Sequence, residues 1–181
     1  MFYKFIENFL THSECDELID YCLKHELIQA GTYVPSTKEI KEDLNFNKRR
    51  YVFLNYVNLT NLDDRIINTI NENLKSNGIL YDKTDRYLFN EYKETDFLEY
   101  HIDGHEIENG ATITILIQLN DDYEGGEFYY KIDDEFIVPK IKGSMFIFDS
   151  NILHKVNPVK NGIRYSINLW PKFKITKKNI I

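Results

Sequence analysis

The chain has 181 residues, 43% of them hydrophobic, and 22 Lys and Arg against 29 Asp and Glu give a net charge of −7. This length and composition predict a globular protein with a sizeable core. The negative charge argues against a nucleic-acid partner, because phosphate binding usually requires a basic surface.

The N-terminal segment is predicted to form a short strand and a packing helix. Residues 2–6 favour the strand, and Thr11 with Glu14 forms the capping-box pattern that begins a helix. Cys15 and Cys22 lie seven residues apart on one face of that helix, which predicts two buried thiols instead of a disulfide. The first residues lack the apolar core of a signal peptide and no later segment predicts a membrane span, so we expect a cytoplasmic protein.

Residues 30–50 show no steady periodicity, and we interpret them as a long loop that contains one short strand at most. Such loops are often lids or binding loops. The Lys-Arg-Arg run at 48–50 is either a solvated charge run or a contact for an acidic substrate. A strand over residues 51–59 and an amphipathic helix over 61–74 follow.

From residue 79 onward the pattern changes to strands separated by turns. The predicted strands cover residues 86–92, 96–103, 111–119, 127–132, 135–138, 143–148, 154–156 and 162–170. Two helices followed by many strands indicate a sandwich or barrel with helices packed against it. We expect one domain over 1–181, with helical support over about 1–78 and a β-rich core over about 79–171. The Lys-rich segment 172–178 is interpreted as a solvated terminus.

Two of the predicted strands have one apolar and one polar face. In the last strand, Arg164, Ser166, Asn168 and Trp170 share the polar face, and in the strand over 111–119 that face carries Thr112, Thr114 and Gln118. One interpretation is an ordinary strand with its polar face in water. The alternative is a barrel with an apolar outer face covered by helices and a polar face that lines a ligand cavity. The presence of Arg164 on the same face as Ser166 and Trp170 favours the second interpretation, in which this face lines a ligand cavity.

His101 and Asp103 form a candidate metal site. Residues two apart in a strand point to the same face, and His154 could supply a third ligand. Two histidines and one carboxylate with three open positions suit a non-haem Fe(II) oxygenase. The His-x-Asp pattern alone is weak, and a solvated turn before Gly104 is the alternative interpretation.

Two further residues fit this site by their spacing. Arg164 follows His154 by ten residues, about one strand away, and arginine is suited to holding a carboxylate through paired hydrogen bonds. Tyr92 precedes His101 by nine residues, about one hairpin away, so its hydroxyl could reach the same pocket.

At these positions the sequence resembles the Fe(II)- and 2-oxoglutarate-dependent dioxygenases, in particular the prolyl 4-hydroxylase-like branch. The order and spacing match over about residues 87–170. The matching segments are 89–92, 97–103, 123–128, 148–149 and 154–159, together with Gly162, Arg164 and Trp170. The resemblance implies a mostly β fold with supporting α-helices, whose core is a double-stranded β-helix, or jelly roll.

The resemblance also implies roles for single residues. His101, Asp103 and His154 would be iron ligands, and Arg164 would pair with the distal carboxylate of 2-oxoglutarate. The Tyr92 hydroxyl would assist Arg164. Two other candidates for a hydrogen bond to the cosubstrate are Thr114 and Ser166.

The implied cofactors are Fe(II), 2-oxoglutarate and O2, with ascorbate as a candidate reductant. The implied activity is hydroxylation of a C–H bond in a prolyl residue or another peptide or amino-acid substrate, with release of succinate and CO2. The carboxylate of Asp103 favours hydroxylation, because related halogenases have a small residue there. A nucleic-acid demethylase of the same superfamily and a non-enzymatic jelly-roll binding module are the alternatives.

Three positions bear on the substrate or compete with this assignment. Ala111 stands where peptide hydroxylases of this branch usually carry a basic residue, which leaves prolyl peptides, amino acids and small metabolites open. His105 is interpreted as a loop residue at the mouth of the site. Asp149 is a competing carboxylate for which we expect a turn role.

Overall fold

The computed structural model describes residues 2–34, 39–74, 79–84, 86–103 and 113–175. Within these ranges the chain forms two α-helices and eighteen β-strands. In chain order they are β1 (Tyr3–Ile6), α1 (His12–Cys22), β2 (Ile28–Gln29), β3 (Thr32–Val34), β4 (Glu39–Lys41), β5 (Asn47–Lys48), β6 (Arg50–Leu54), α2 (Leu62–Asn73), β7 (Ile79–Lys83), β8 (Tyr87–Tyr92), β9 (Phe97–His101), β10 (Ile113–Gln118), β11 (Glu124–Gly125), β12 (Phe128–Lys131), β13 (Glu135–Ile137), β14 (Met145–Asp149), β15 (Leu153–Val156), β16 (Val159–Asn161), β17 (Arg164–Leu169) and β18 (Lys172–Ile175).

Two antiparallel sheets pack face to face. The larger has seven strands in the order β1-β14-β10-β17-β8-β6-β2, and the smaller has five in the order β13-β12-β15-β9-β5. One apolar cluster joins the two sheets and includes Leu116 and Phe148 from the larger and Leu98 and Phe128 from the smaller. The predicted mostly β fold with a jelly-roll core is confirmed.

The outer face of the seven-stranded sheet is covered by the two helices. Ile115 and Ile117 of β10 belong to one buried cluster with Leu18 of α1 and Ile66 of α2. Residues at alternate positions of β10 point the other way, because side chains alternate along a strand. The second interpretation of the alternating strands, an apolar outer face under helices, therefore describes this sheet.

The first helix begins as the sequence predicts. The Thr11 side chain accepts a hydrogen bond from the backbone of Glu14, and the Glu14 side chain accepts one from the backbone of Thr11. Cys15 and Cys22 are buried free thiols, as expected. None of the described helices is long and apolar enough to cross a membrane.

Several short strands differ from the predictions. The segment 30–50 is not one loop, because it contains β3, β4 and β5. A strand of two or three residues is too short to show alternation, so only its pairing partner reveals it. The strand predicted over 51–59 ends at Leu54.

The Lys-rich segment 172–178, interpreted as a solvated terminus, has regular structure where it is described. Residues 172–175 form β18, which pairs with β7. Their sequence, Lys-Phe-Lys-Ile, alternates polar and apolar residues, which is a strand pattern that the lysine content obscured.

The N-terminal segment contributes strands to both sheets. β1 pairs with β14 and β6 pairs with β8 in the larger sheet, while β5 pairs with β9 in the smaller. The division into helical support and β-rich core, and the single domain over 1–181, stay predictions.

Candidate active site

Three potential metal ligands meet in the five-stranded sheet where β9 ends and β15 begins. His101 is the last residue of β9 and lies opposite His154 of β15. The Nε2 atoms of His101 and His154 lie 3.6 and 3.5 Å from the two carboxylate oxygens of Asp103. One ligand atom from each residue lies within 4.8 Å of the other two. The structure thus brings the three predicted residues together in a site that could hold one metal ion.

Hydrogen bonds at Nδ1 orient both histidine rings. The Nδ1 atom of His101 lies 2.9 Å from the carbonyl oxygen of Glu99, and that of His154 lies 2.8 Å from the carbonyl oxygen of Ile152. A carbonyl oxygen can only accept, so each Nδ1 carries the proton. Each Nε2 therefore presents its lone pair to the site, which is the arrangement found in metal-binding histidines.

Asp103 is held by two residues from neighbouring strands. Its backbone N–H donates to the carbonyl oxygen of Ser150 at 2.9 Å. The Thr114 hydroxyl donates to Oδ2 of Asp103 at 2.7 Å and lies 3.0 Å from the Ser150 hydroxyl. Thr114 of β10 and Ser150 after β14 therefore fix the carboxylate from the larger sheet.

The protonation states favour metal binding. Burial lowers the pKa of His154 to about 4 although Asp103 opposes this shift, so the imidazole is neutral at pH 7. Burial alone would raise the pKa of Asp103, but His154, His101 and the Thr114 hydroxyl together hold it well below its usual range. A neutral imidazole and an ionised carboxylate are the forms that bind a metal ion.

This donor set fits Fe(II). Two imidazole nitrogens and one carboxylate form the 2-His-1-carboxylate arrangement of non-haem Fe(II) oxygenases, which leaves positions open for other ligands. The exposed fraction of the side chains rises from 2% at His154 through 11% at Asp103 to 21% at His101. The site is therefore enclosed on the His154 side and open on the His101 side.

Arg164 is a buried cation without an anionic partner in the described part of the chain. It is 1% exposed, and its guanidinium donates to the Ser166 hydroxyl at 3.0 Å and to Oε1 of Gln118 at 3.2 Å. Its Nε has no hydrogen-bond partner there. A buried charge that lacks a counter-charge is costly, so this position favours an anionic ligand.

Tyr92 lies beside Arg164, with which it is paired across β8 and β17. The guanidinium carbon of Arg164 is 5.1 Å from the centre of the Tyr92 ring. The Tyr92 hydroxyl accepts a hydrogen bond from Arg49 at 3.3 Å. Its own hydrogen is thus free to be donated to a ligand.

The two hydroxyls predicted to reach the cosubstrate have other partners in this structure. That of Thr114 donates to Asp103, and that of Ser166 accepts from Arg164. Both roles in cosubstrate binding stay predictions, while the observed contacts make Thr114 a support of a metal ligand and Ser166 a support of Arg164.

The three potential ligands and Arg164 line one cavity of about 1050 Å³. Buried polar atoms without a hydrogen-bond partner within the described ranges gather here. They belong to Asn47, Arg49, Asn90, Arg164 and Trp170, and all five residues line the cavity. Polar atoms left unpaired on the wall of one cavity indicate a ligand site.

The other candidate residues have different outcomes. Asp149 accepts hydrogen bonds from the backbone and side chain of Asn151 at 2.9 and 3.2 Å, which is a turn role. Trp170 lies on the cavity wall. Gly104, His105, Ala111 and Thr112 lie outside the described residues.

Sequence reasoning missed Ser150 and singled out Arg49 only as part of a basic run. Ser150 supports Asp103 because β14 lies beside β10, and no local pattern encodes that pairing. Arg49 lies where the chain passes from the smaller sheet to the larger one, and this crossover can be recognised only once the order of the strands is known.

The sequence over residues 87–172 matches the family model described as the 2OG-Fe(II) oxygenase superfamily. A PKHD-type hydroxylase from Pseudomonas fluorescens is 32% identical over 95 residues, which cover 46% of this chain and 41% of that protein. The chain thus spans less than half of that relative's length. The predicted resemblance to Fe(II)- and 2-oxoglutarate-dependent dioxygenases of the prolyl 4-hydroxylase-like branch is confirmed.

Two solved structures share the fold. A prolyl-4-hydroxylase from Pseudomonas putida has a TM-score of 0.71 at 18% identity, over 94% of this chain and 91% of that one. A prolyl hydroxylase from Trichoplax adhaerens, in complex with a peptide fragment of the hypoxia inducible factor oxygen degradation domain, has a TM-score of 0.70 at 18% identity, over 93% and 82%. At this identity the likeness establishes the fold.

Proposed function

We propose that this chain is an Fe(II)- and 2-oxoglutarate-dependent hydroxylase. Its residues 87–172 match the family model of the 2OG-Fe(II) oxygenase superfamily. One observation carries this proposal: a cluster of two histidines and one carboxylate opens into the same cavity as a buried arginine that lacks a carboxylate partner in the described residues. A metal site and an anion site in one cavity are the two requirements of this chemistry.

The residues divide the work between the two sheets. His101, Asp103 and His154 would hold Fe(II) in the smaller sheet, and Thr114 fixes the carboxylate among them. When bound, Fe(II) supplies the activation of O2, coupled to the oxidative decarboxylation of 2-oxoglutarate to succinate and CO2.

The larger sheet would bind the cosubstrate. Arg164 would pair with the distal carboxylate of 2-oxoglutarate, since its fork of N–H donors matches a carboxylate. Ser166 and Gln118 hold the guanidinium in place, and Tyr92 can donate its hydroxyl hydrogen to the same carboxylate.

For the substrate we propose a peptide or amino acid, with a prolyl residue as the first candidate. The names of the similar proteins support a hydroxylase of this kind, and the Trichoplax relative was solved with a peptide. The cavity is large enough for a residue of a peptide beside 2-oxoglutarate, because typical small-molecule sites measure roughly 300–1000 Å³. A cytoplasmic location and the absence of a nucleic-acid partner stay predictions.

The test is Fe(II)-dependent consumption of 2-oxoglutarate, with ascorbate present, measured as succinate formation. The wild type should form succinate, slowly without a substrate and faster with one drawn from proline peptides, free amino acids and methylated oligonucleotides. Asp103→Ala should abolish this activity, whereas Asp149→Ala, which removes a carboxylate from a turn, should retain it. Undiminished turnover in Asp103→Ala would contradict the proposed function, and binding without any succinate would favour a non-enzymatic module.

A further inference from the structure

A second arginine, Arg49, lines the cavity at the point where the chain changes sheets. The chain leaves the smaller sheet after β5 (Asn47–Lys48) and enters the larger one at β6 (Arg50–Leu54). The carbonyl oxygen of Arg49 accepts a hydrogen bond from the N–H of Ala30 at 2.9 Å, which anchors the backbone at this crossover. Its side chain is among those that line the cavity.

The two basic neighbours of Arg49 are paired with acids, and Arg49 is not paired with any described acid. The Lys48 ammonium lies 3.5 Å from Asp96, and Nε of Arg50 donates to Glu91 at 2.7 Å. Successive side chains of an extended segment point to opposite sides. The basic run is therefore split, with its outer members in ion pairs and its middle member on the cavity wall.

The contacts of Arg49 place it close to the proposed cosubstrate residues. Its Nη1 donates to the Tyr92 hydroxyl at 3.3 Å, and its guanidinium carbon is 5.9 Å from the centre of the Tyr92 ring. Its Nε is buried without a hydrogen-bond partner in the described ranges. The side chain as a whole is half-buried. A buried, unpaired N–H on a charged group favours a ligand that supplies an acceptor.

The charges of the described lining residues leave room for one more anion. Arg49 and Arg164 are the cationic side chains among the described lining residues, and Asp103 is the acidic one. Fe(II) would add two positive charges, and doubly ionised 2-oxoglutarate would add two negative ones. With Arg164 matched by 2-oxoglutarate and Asp103 bound to the metal, the positive charge of Arg49 has no acidic partner among the residues that the structure describes.

We propose that Arg49 binds a carboxylate of the substrate and so determines which substrates are accepted. This inference rests on the proposed function and narrows its substrate class to peptides or amino acids that carry an acidic group near the hydroxylated carbon. A carboxylate fits better than a neutral amide because arginine can donate two parallel hydrogen bonds to its oxygens.

The test uses matched probes that differ in one carboxylate. The pairs are L-proline and L-prolinamide, short peptides ending in proline as the free acid or the carboxamide, and proline peptides with Glu or Gln beside the proline. Binding is measured by calorimetry in the presence of 2-oxoglutarate with Zn(II) in place of Fe(II), since Zn(II) has no redox chemistry. Turnover of the Fe(II) enzyme is measured as probe-dependent succinate formation.

The variants are Arg49→Gln and, as a matched control, Lys48→Gln, which removes the same charge one residue away. We expect the wild type to prefer at least one acid over its amide by about tenfold or more, as charge-assisted hydrogen bonds do. Arg49→Gln should lose this preference and Lys48→Gln should keep it. In both variants the affinity for 2-oxoglutarate itself should change by less than about threefold, since substitutions at independent sites rarely affect each other by more.

Three results would overturn the inference: no acid preference in the wild type for any pair, an intact preference in Arg49→Gln, or a loss confined to 2-oxoglutarate binding. The last result would assign Arg49 to the cosubstrate. Succinate formation without any probe tests the proposed function separately. Its absence in the wild type would contradict that function, whereas its presence without an acid preference would contradict only the role of Arg49.

Discussion

The two faces of the seven-stranded sheet are built from the same strands and serve opposite purposes. On the outer face, Ile115, Ile117 and Ile167 are fully buried with the helices. On the inner face, Thr114 and Arg164 of the same strands line or support the candidate site. The outer face is covered by the two helices, whereas the cavity on the inner side is lined by polar atoms that have no hydrogen-bond partner among the described residues. Stability should therefore depend on the outer face and binding on the inner one.

The largest expected effect is on the outer face. Ile66→Ala removes a fully buried side chain between α2 and the sheet, and such truncations cost about 2–5 kcal/mol of unfolding free energy. Metal affinity, measured by titration under folding conditions, should stay unchanged. Asn68→Ala on the exposed side of α2 is the control in denaturant unfolding. A loss of metal affinity in Ile66→Ala would show that the two faces are not independent.

The next largest effect is on the inner face, where a substitution should weaken binding more than it lowers stability. Arg164→Met removes the buried charge, and 2-oxoglutarate binding should weaken by about 10- to 100-fold because charge-assisted hydrogen bonds are worth roughly 1.5–3 kcal/mol. The unliganded protein should lose less stability than Ile66→Ala does, since an unmatched buried cation is itself destabilising. Thermal unfolding with and without 2-oxoglutarate measures both quantities.

Arg164→Lys provides the matched comparison, because it keeps the charge and loses the fork of donors. We expect 2-oxoglutarate affinity between those of the wild type and Arg164→Met. Equal affinity for 2-oxoglutarate in all three proteins would show that Arg164 does not bind the cosubstrate.

A smaller effect is expected where the two sheets cooperate. Thr114→Val keeps the shape of a buried side chain but removes the hydroxyl that donates to Asp103, and loss of such an outer hydrogen bond weakens metal binding by about tenfold. Ser144→Ala, which removes a buried hydroxyl bonded to Ile141 instead, controls for the general effect. Metal titration should separate the two variants, and equal affinities would make Thr114 a packing residue.

The same comparison explains what the sequence could predict. Regular alternation over long strands predicted one apolar and one polar face for β10 and for β17. The spacing of His101 and Asp103 suggested a metal site, and the family resemblance implied His154 as its third ligand. Arg49, Ser150 and the short strands depend on which strands lie side by side. That order arises from tertiary packing, so no local pattern contains it.

The smallest effect concerns the ion pair that joins the two outer helices. Glu14 of α1 pairs with Arg65 of α2 at 2.5 Å, and the hydrogen bonds from Arg65 and Thr11 hold the pKa of Glu14 below its usual range. A carboxyl with a lowered pKa in the folded state stabilises the protein above its unfolded-state pKa, and this contribution is lost as the pH falls through the folded-state value.

Glu14→Gln keeps a side chain that can complete the capping box and removes the charge. We expect a loss of about 0.5 kcal/mol at pH 7, since the pair is partly exposed. The difference from the wild type should shrink as the pH falls below the unfolded-state pKa of a glutamate, about 4.3, because protonation of Glu14 then removes the same charge. Glu17→Gln, which removes a carboxylate bonded to Ser13 in the same helix, is the control in urea unfolding at each pH. A difference that grows in acid would contradict this assignment.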